Sequence, residues 1–364
     1  MTGFVVGSIA GVAIIILMAL TPRGFKSLGE ADEKTGRDAE KERVTVRRAR
    51  TLRPLRRERQ PAMLPAEATV TFAAERRQAG IDEVLAGLDR DLVGLVPVKK
   101  KVQEVAALLL VDRARQKFGL EAPRPNLHMS FTGPPGTGKT TVALRMADLL
   151  HRLGYLEQGQ LVHAMRDDLV GEYIGQTAPK TKRILDRAMG GVLFIDEAYY
   201  LYRDTDSKDY GQEVIDILLQ VMENDRDKLV VILAGYKDRM DTFFTSNPGM
   251  SSRIAHHLDF AAYEVEELVA IGRRMLEQAS YHLSAEAEAV FRGYLSAQME
   301  QPQFANARSV RNELESARLR HAHRLASDAE RSWTREDLMR LEPADILPPG
   351  SRASAAPRSS TTLG

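Results

Sequence analysis

With 364 residues, 43% of them hydrophobic and 28% charged, the chain has enough material for two modest domains and flexible ends. A formal net charge of +1 gives no broad electrostatic case for a nucleic-acid partner. Having no cysteine, the chain can form no disulfide, thiolate metal site or cysteine nucleophile, a composition that suits a cytoplasmic protein.

Residues 1–22 carry no charged side chain, and an apolar run extends from Phe4 to Leu20. That run is at the short end of the ~17–25 residues that cross a bilayer. No basic residue precedes it, which argues against a signal peptide. Arg23 and Lys26 follow it, so a span would leave the remainder in the cytosol. Two readings stand: a single-pass membrane anchor, or translated sequence upstream of a true start at Met63. Residues 23–76 read as a basic, disordered linker, in which the arginines from Arg43 to Arg59 are opposed by Glu58 alone. Such a segment would attract anionic lipid only beside a genuine span.

Helical spacing of apolar residues begins at Ile81–Leu88 and continues through Val102–Phe118. From Leu127 onward, short apolar runs (127–132, 161–164, 191–195 and 229–234) alternate with helical patterns. Buried strands separated by helices predict an α/β domain over 77–262, with a parallel sheet covered on both faces. After Tyr263 the runs give way to helical patterns at 265–279, 284–299, 307–325 and 334–341, a small all-helical domain over 263–346. The tail, 347–364, is rich in Ser, Ala, Pro and Thr and reads as disordered.

The densest chemical signal is Gly133-Pro134-Pro135-Gly136-Thr137-Gly138-Lys139-Thr140, followed by Thr141. It matches the G-x-x-x-x-G-K-[ST] phosphate loop and stands between an expected strand and an expected helix. Glycines let backbone N–H groups turn toward phosphate oxygens, and the helix start adds positive potential. Lys139 would reach the β- and γ-phosphates of ATP, and Thr140 would hold Mg²⁺. A second signal is the run Val192–Ile195 ending in Asp196-Glu197, carboxylates at the carboxyl edge of the sheet. Asp196 would support Mg²⁺, and Glu197 would polarise the attacking water. Arg308 and Arg311 open a predicted helix, where the dipole disfavours cations, so an anion opposite them is expected. For Arg311 a pairing with Glu313 or Glu315 is the competing reading.

Gly133–Thr140 and Asp196-Glu197 resemble the Walker A and Walker B motifs of AAA+ ATPases. From about Asp91 to Arg324, roughly two thirds of the chain, the sequence resembles the CbbX (CfxQ) branch, the red-type Rubisco activases. Carrying segments are 108–117, 171–180, 196–201, 233–236, Asn247-Pro248-Gly249 and 252–257. No such likeness extends before about Ala74.

The resemblance implies an AAA+ P-loop fold, with the parallel sheet flanked by helices and followed by the small helical lid. It also implies roles for particular residues. Val93-Gly94 would wrap adenine, Arg253 would be an arginine finger entering a neighbouring subunit's site, and Arg308 would be the sensor-2 arginine. Tyr173 and Ile174, in a glycine-bracketed loop, would line a hexamer pore and grip polypeptide. One departure is Ala234-Gly235-Tyr236, where many AAA+ proteins have a polar Asn. The implied function is ATP-driven remodelling of inhibited red-type Rubisco. Pulling on the large subunit's C-terminal tail would release tightly bound sugar phosphates, with ribulose 1,5-bisphosphate as allosteric effector. Alternatives are a related motor of the sporulation or type VII secretion group with another protein substrate, and a nucleotide-switched assembly scaffold.

Overall fold

The computed structural model describes residues 45–47, 63–120, 123–203 and 210–346. The apolar run from Phe4 to Leu20, most of the basic segment and the tail lie outside the described residues. Among the described residues, no helix is long and apolar enough to cross a membrane.

In chain order the first part contains β1 (Thr45–Arg47), α1 (Phe72–Ala79), α2 (Ile81–Asp91), α3 (Val96–Lys117), β2 (Met129–Thr132) and α4 (Lys139–Arg152). Next come β3 (Leu161–Ala164), α5 (Arg166–Leu169), α6 (Thr177–Ala188), β4 (Val192–Ile195) and a 3-10 turn at Ala198–Leu201. The last elements of this part are α7 (Gly211–Asn224), β5 (Val230–Gly235), α8 (Lys237–Ser246), α9 (Pro248–Arg253) and β6 (His256–Asp259).

The sheet order is β1-β3-β4-β5-β2-β6, with the five strands from β3 to β6 parallel and β1 antiparallel at the edge. Period-2 alternation sorts the strand residues into two cores. Leu161, Val192, Phe194, Val230, Ile232 and Ala234 join residues of α2, α3 and α4 on one face. Val162, Ala164, Leu193, Ile195, Val231 and Leu233 join residues of α6, α7 and α8 on the other. Both faces are therefore apolar, which is why the strands read as continuous hydrophobic runs. Strand β2 lies between β5 and β6, so the carboxyl ends of β2, β5 and β4 open onto one crevice.

Three features depart from the sequence reading. Strand β6 is not among the expected runs: of its four residues only Leu258 is buried, too little alternation to register. Helix α1 starts at Phe72, ahead of the boundary at 77, and buries Glu75 against Lys117, 2.5 Å away, and Arg113. Strand β1 falls within the basic segment and pairs with β3.

The second part comprises α10 (Val265–Gln278), β7 (His282–Leu283), α11 (Ala285–Met299), α12 (Ala307–Ala326), α13 (Arg335–Met339), β8 (Arg340–Leu341) and α14 (Pro343–Ile346). The helical domain expected here is present, and β7 and β8 add a two-stranded parallel ladder to it. Two residues per strand leave no period to detect. The helical core closes around Phe291, which packs against Gly272 of α10 so tightly that a Cβ there would lie 2.8 Å from its ring. Phe291→Ala should cost about 3–5 kcal/mol of local stability and lower the thermal transition measured by calorimetry. An unchanged transition would show that this core is not what holds the helices together.

Candidate active site

The phosphate loop follows β2 directly. Gly133, Gly136 and Gly138 take φ values of 141°, 73° and 94°, positive angles that side chains other than glycine's rarely adopt. A Cβ on Gly133 would collide with the Phe260 carbonyl, and one on Gly136 with the Ala305 carbonyl. Lys139 opens α4 and donates from Nζ to the carbonyl oxygens of Gly133 and Pro134, both at 2.8 Å. Burial lowers its pKa, with Arg308 acting in the same direction and Asp196 and Glu197 opposing. An ammonium so placed, with two of its three N–H bonds used on its own loop, is a cation that a bound phosphate would relieve.

Around this loop lies a cleft of about 400 Å³. It is lined by Val93, Gly133, Pro135 and Gly136–Thr141 from one side, Asp196 and Glu197 from the end of β4, and Arg308 and Arg311 from α12. Val93 thus reaches the cleft, whereas Gly94 and Pro134 are not among its lining residues. Gly94 has φ 59°, and a Cβ there would displace the Glu267 carboxylate, so its backbone path past α10 favours glycine. A second cleft, about 780 Å³, continues from Thr140, Asp196 and Glu197 past His163, Arg166 and Tyr200, again with Arg308 and Arg311 on its wall.

Burial would raise the pKa of Asp196, but His163, Lys139 and the Glu197 N–H outweigh it and hold the carboxyl below its ordinary value. His163 Nε2 stands 3.6 Å from Asp196 Oδ2, and its ring stacks on Phe194 with centroids 5.5 Å apart. Glu197 adopts φ 51° immediately after the strand, and its N–H donates to Asp196 Oδ1 at 3.0 Å. An ionised carboxylate beside a threonine hydroxyl is a donor set that suits Mg²⁺. Among the described residues, no group of three or more His, Cys, Asp or Glu is placed to hold a metal ion by itself. Such an ion would therefore complete its shell with phosphate oxygens and water.

At the end of β5, Gly235 has no room for a side chain: a Cβ would lie 2.7 Å from the ring of Tyr199. Tyr199, Tyr200 and Tyr236 surround the Arg239 guanidinium at 5.1, 5.9 and 5.7 Å from their ring centroids. Tyr236 lines the first cleft and Tyr200 the second, so this aromatic group borders Glu197 from both sides.

Three expected site residues stand elsewhere. Arg253, at the end of α9, is not among the lining residues of either cleft. Its Nη1 donates to Gly249 O at 3.0 Å, its Nε lies 3.4 Å from Glu223, and the Asn126 amide donates to its carbonyl at 2.7 Å. Tyr173 and Ile174 project from the loop between α5 and α6 with 68% and 85% of their surface exposed, which excludes packing at a loop base. Arg311 does not use Glu313, whose carboxylate pairs with Arg320.

Sequence reasoning missed His163, Tyr263 and Asn306. A single histidine in a strand and an asparagine before a helix carry no signal of their own. Asn306 reads simply as a helix cap.

Residues 129–261 match the ATPase family associated with various cellular activities (AAA), and residues 264–356 match the AAA lid domain. The crystal structure of the FIGL-1 AAA domain superposes with a TM-score of 0.50 at 19% identity, covering 70% of this chain and 80% of that one, a likeness of fold alone. "Protein CbbX" of Cereibacter sphaeroides is 63% identical over 260 residues, 71% of this chain and 84% of that protein. "Ribulose bisphosphate carboxylase/oxygenase activase, chloroplastic" of Cyanidioschyzon merolae is 60% identical over 279 residues, 77% of this chain and 95% of that protein. "Protein CbxX, chromosomal" of Cupriavidus necator is 58% identical over 303 residues, 83% of this chain and 96% of that protein. Identity at this level across nearly the whole of such relatives, together with a phosphate loop facing paired carboxylates, places the chain in the CbbX/CfxQ family of AAA ATPases, as an ATP-hydrolysing enzyme.

Proposed function

We propose that the protein couples ATP hydrolysis to remodelling of inhibited red-type Rubisco, freeing it of tightly bound sugar phosphates. The observation that carries this reading is the exposed Tyr173-Ile174 pair, held between Gly171 and Gly175 on a loop outside the nucleotide clefts. An aromatic ring and a branched aliphatic left in solvent grip a polypeptide by non-directional burial, which suits pulling on a tail without reading its sequence. In a homohexamer these loops would face a central pore, and the large subunit's C-terminal tail is the segment proposed to enter it. The names of the relatives support Rubisco as the target.

In the proposed cycle, Val93 borders the adenine, with Gly94 setting the backbone path beside it, and the N–H groups of Gly136–Thr141 cradle the phosphates. Lys139 neutralises the β- and γ-phosphate oxygens, and Arg308 faces the γ-phosphate from the lid. Thr140 and Asp196 would hold Mg²⁺, which supplies charge neutralisation for phosphoryl transfer. Glu197 takes a proton from the attacking water, and Arg253 of a neighbouring subunit completes the site.

The direct test is reactivation of red-type Rubisco inhibited by a bound sugar phosphate, read as restored carboxylation, with and without ATP and ribulose 1,5-bisphosphate. Restored carboxylation that requires ATP, with ATPase activity stimulated by ribulose 1,5-bisphosphate, is the expected result. ATPase activity with no reactivation would move the target to another protein. Tyr173→Ala should keep ATPase activity within about twofold while reactivation falls at least tenfold, since removing a gripping ring forfeits burial worth about 1.5–3 kcal/mol per contact. Equal loss of both activities would count against the gripping role.

A further inference from the structure

A buried side chain at the start of the lid's longest helix bonds directly to the phosphate loop. Asn306 stands at the cap position of α12 and is 2% exposed. An asparagine there ordinarily accepts from the first turn of its own helix, but Asn306 makes no such bond. Its Nδ2 donates to Pro135 O of the phosphate loop at 3.1 Å, and its Oδ1 accepts from the N–H of Tyr263, at the junction between the two parts, at 3.0 Å. The first helical N–H, that of Ala307, donates to Gly136 O at 3.3 Å instead. Tyr263 adds a bond from its hydroxyl to Thr137 O at 3.1 Å.

The backbone at Asn306 confirms that the side chain is retained at a cost. Its φ of 49° with ψ of −129° is a conformation that glycine adopts readily and other residues do not. Glycine would be the relaxed choice for the turn. An amide occupies it, one end bonded across the border to the phosphate loop and the other to the junction at Tyr263. Two residues further on, Arg308 lines both clefts.

We propose that Asn306 is a latch: a positioning residue that holds the lid on the phosphate loop, sets Arg308 over the nucleotide, and must let go before nucleotide leaves. The part concerning Arg308 rests on the reading of that residue as a phosphate contact; the part concerning release does not.

The experiment compares Asn306→Gly, Asn306→Ala and Arg308→Ala in the full chain. The readouts are stopped-flow release of a fluorescent ADP analogue, steady-state ATPase and the thermal transition. Both Asn306 variants lose the two bonds, but only Ala keeps the strained backbone, so Gly should retain the higher thermal transition. Measured well below either transition, ADP release should quicken about five- to a hundredfold in both, the factor expected for two net hydrogen bonds. The KM for ATP should rise with it. Wild-type release in Asn306→Gly overturns the latch, as does a release rate that merely follows thermal stability across the two variants. If Arg308→Ala binds and turns over ATP normally, the Arg308 reading falls while the release result still decides the latch. If Arg308→Ala loses ATP affinity and Asn306→Gly behaves as wild type, the latch falls alone.

Discussion

Glu197→Gln is expected to bind ATP with near-native affinity and to hydrolyse it more slowly by about 10²–10⁴-fold, the range for removing a general base. The exchange keeps the shape of a side chain that borders both clefts. It leaves the N–H bond to Asp196 Oδ1 in place, because that bond is made by backbone. Lys139 and the glycine loop, the groups placed to receive phosphate, are untouched. What disappears is the only property hydrolysis draws from this position in the proposed cycle, a carboxylate able to accept a proton from water. Single-turnover hydrolysis of bound ATP, measured beside equilibrium binding, separates the two effects. Normal turnover in the variant would remove Glu197 from the reaction.

Arg253→Ala should reduce turnover by ~10³–10⁵, about 4–7 kcal/mol of barrier, with little change in nucleotide affinity. Its position explains the second half of that statement, since Arg253 borders neither cleft of its own subunit. Its Nε is buried without a hydrogen-bond partner, and Glu223 and the Gly249 carbonyl hold the guanidinium beside α7 and α9. In the proposed cycle such a group would act in a neighbouring subunit's site. Mixing Arg253→Ala with Glu197→Gln subunits should therefore recover ATPase activity, because each supplies what the other lacks. Failure to recover activity on mixing, or undiminished turnover of Arg253→Ala alone, would refute a role in trans.

The residues proposed to carry the phosphate chemistry were legible because they are consecutive. Gly133 to Thr141 and Asp196-Glu197 are short motifs, and all of these positions except Pro134 line one cleft. The central strands were legible because both their faces are buried, so every residue is apolar. Strand β6 was hidden by the opposite circumstance: at the sheet edge it buries Leu258 alone, with His257 and Asp259 exposed and His256 half-buried. The β7–β8 ladder was hidden by brevity. His163 and Asn306 could not be read at all, because their significance comes from partners far along the chain: Asp196 for one, Pro135 and Tyr263 for the other.

The ring of Tyr199 against Gly235 has a consequence for how such sites change over time or by design. A polar side chain cannot be installed at the end of β5 while that ring is in place, since even a single added carbon would meet it. Tyr199 is in turn committed to Tyr200, Tyr236 and the guanidinium of Arg239. These five positions are therefore coupled, and Met240, whose Sδ would lie 2.9 Å from the added carbon, is coupled to them. A chimera that imports β5 from an ATPase with an amide there, yet keeps this chain's segments after β4 and β5, pairs two incompatible halves, and a stepwise route between the two designs must make room at both 199 and 240.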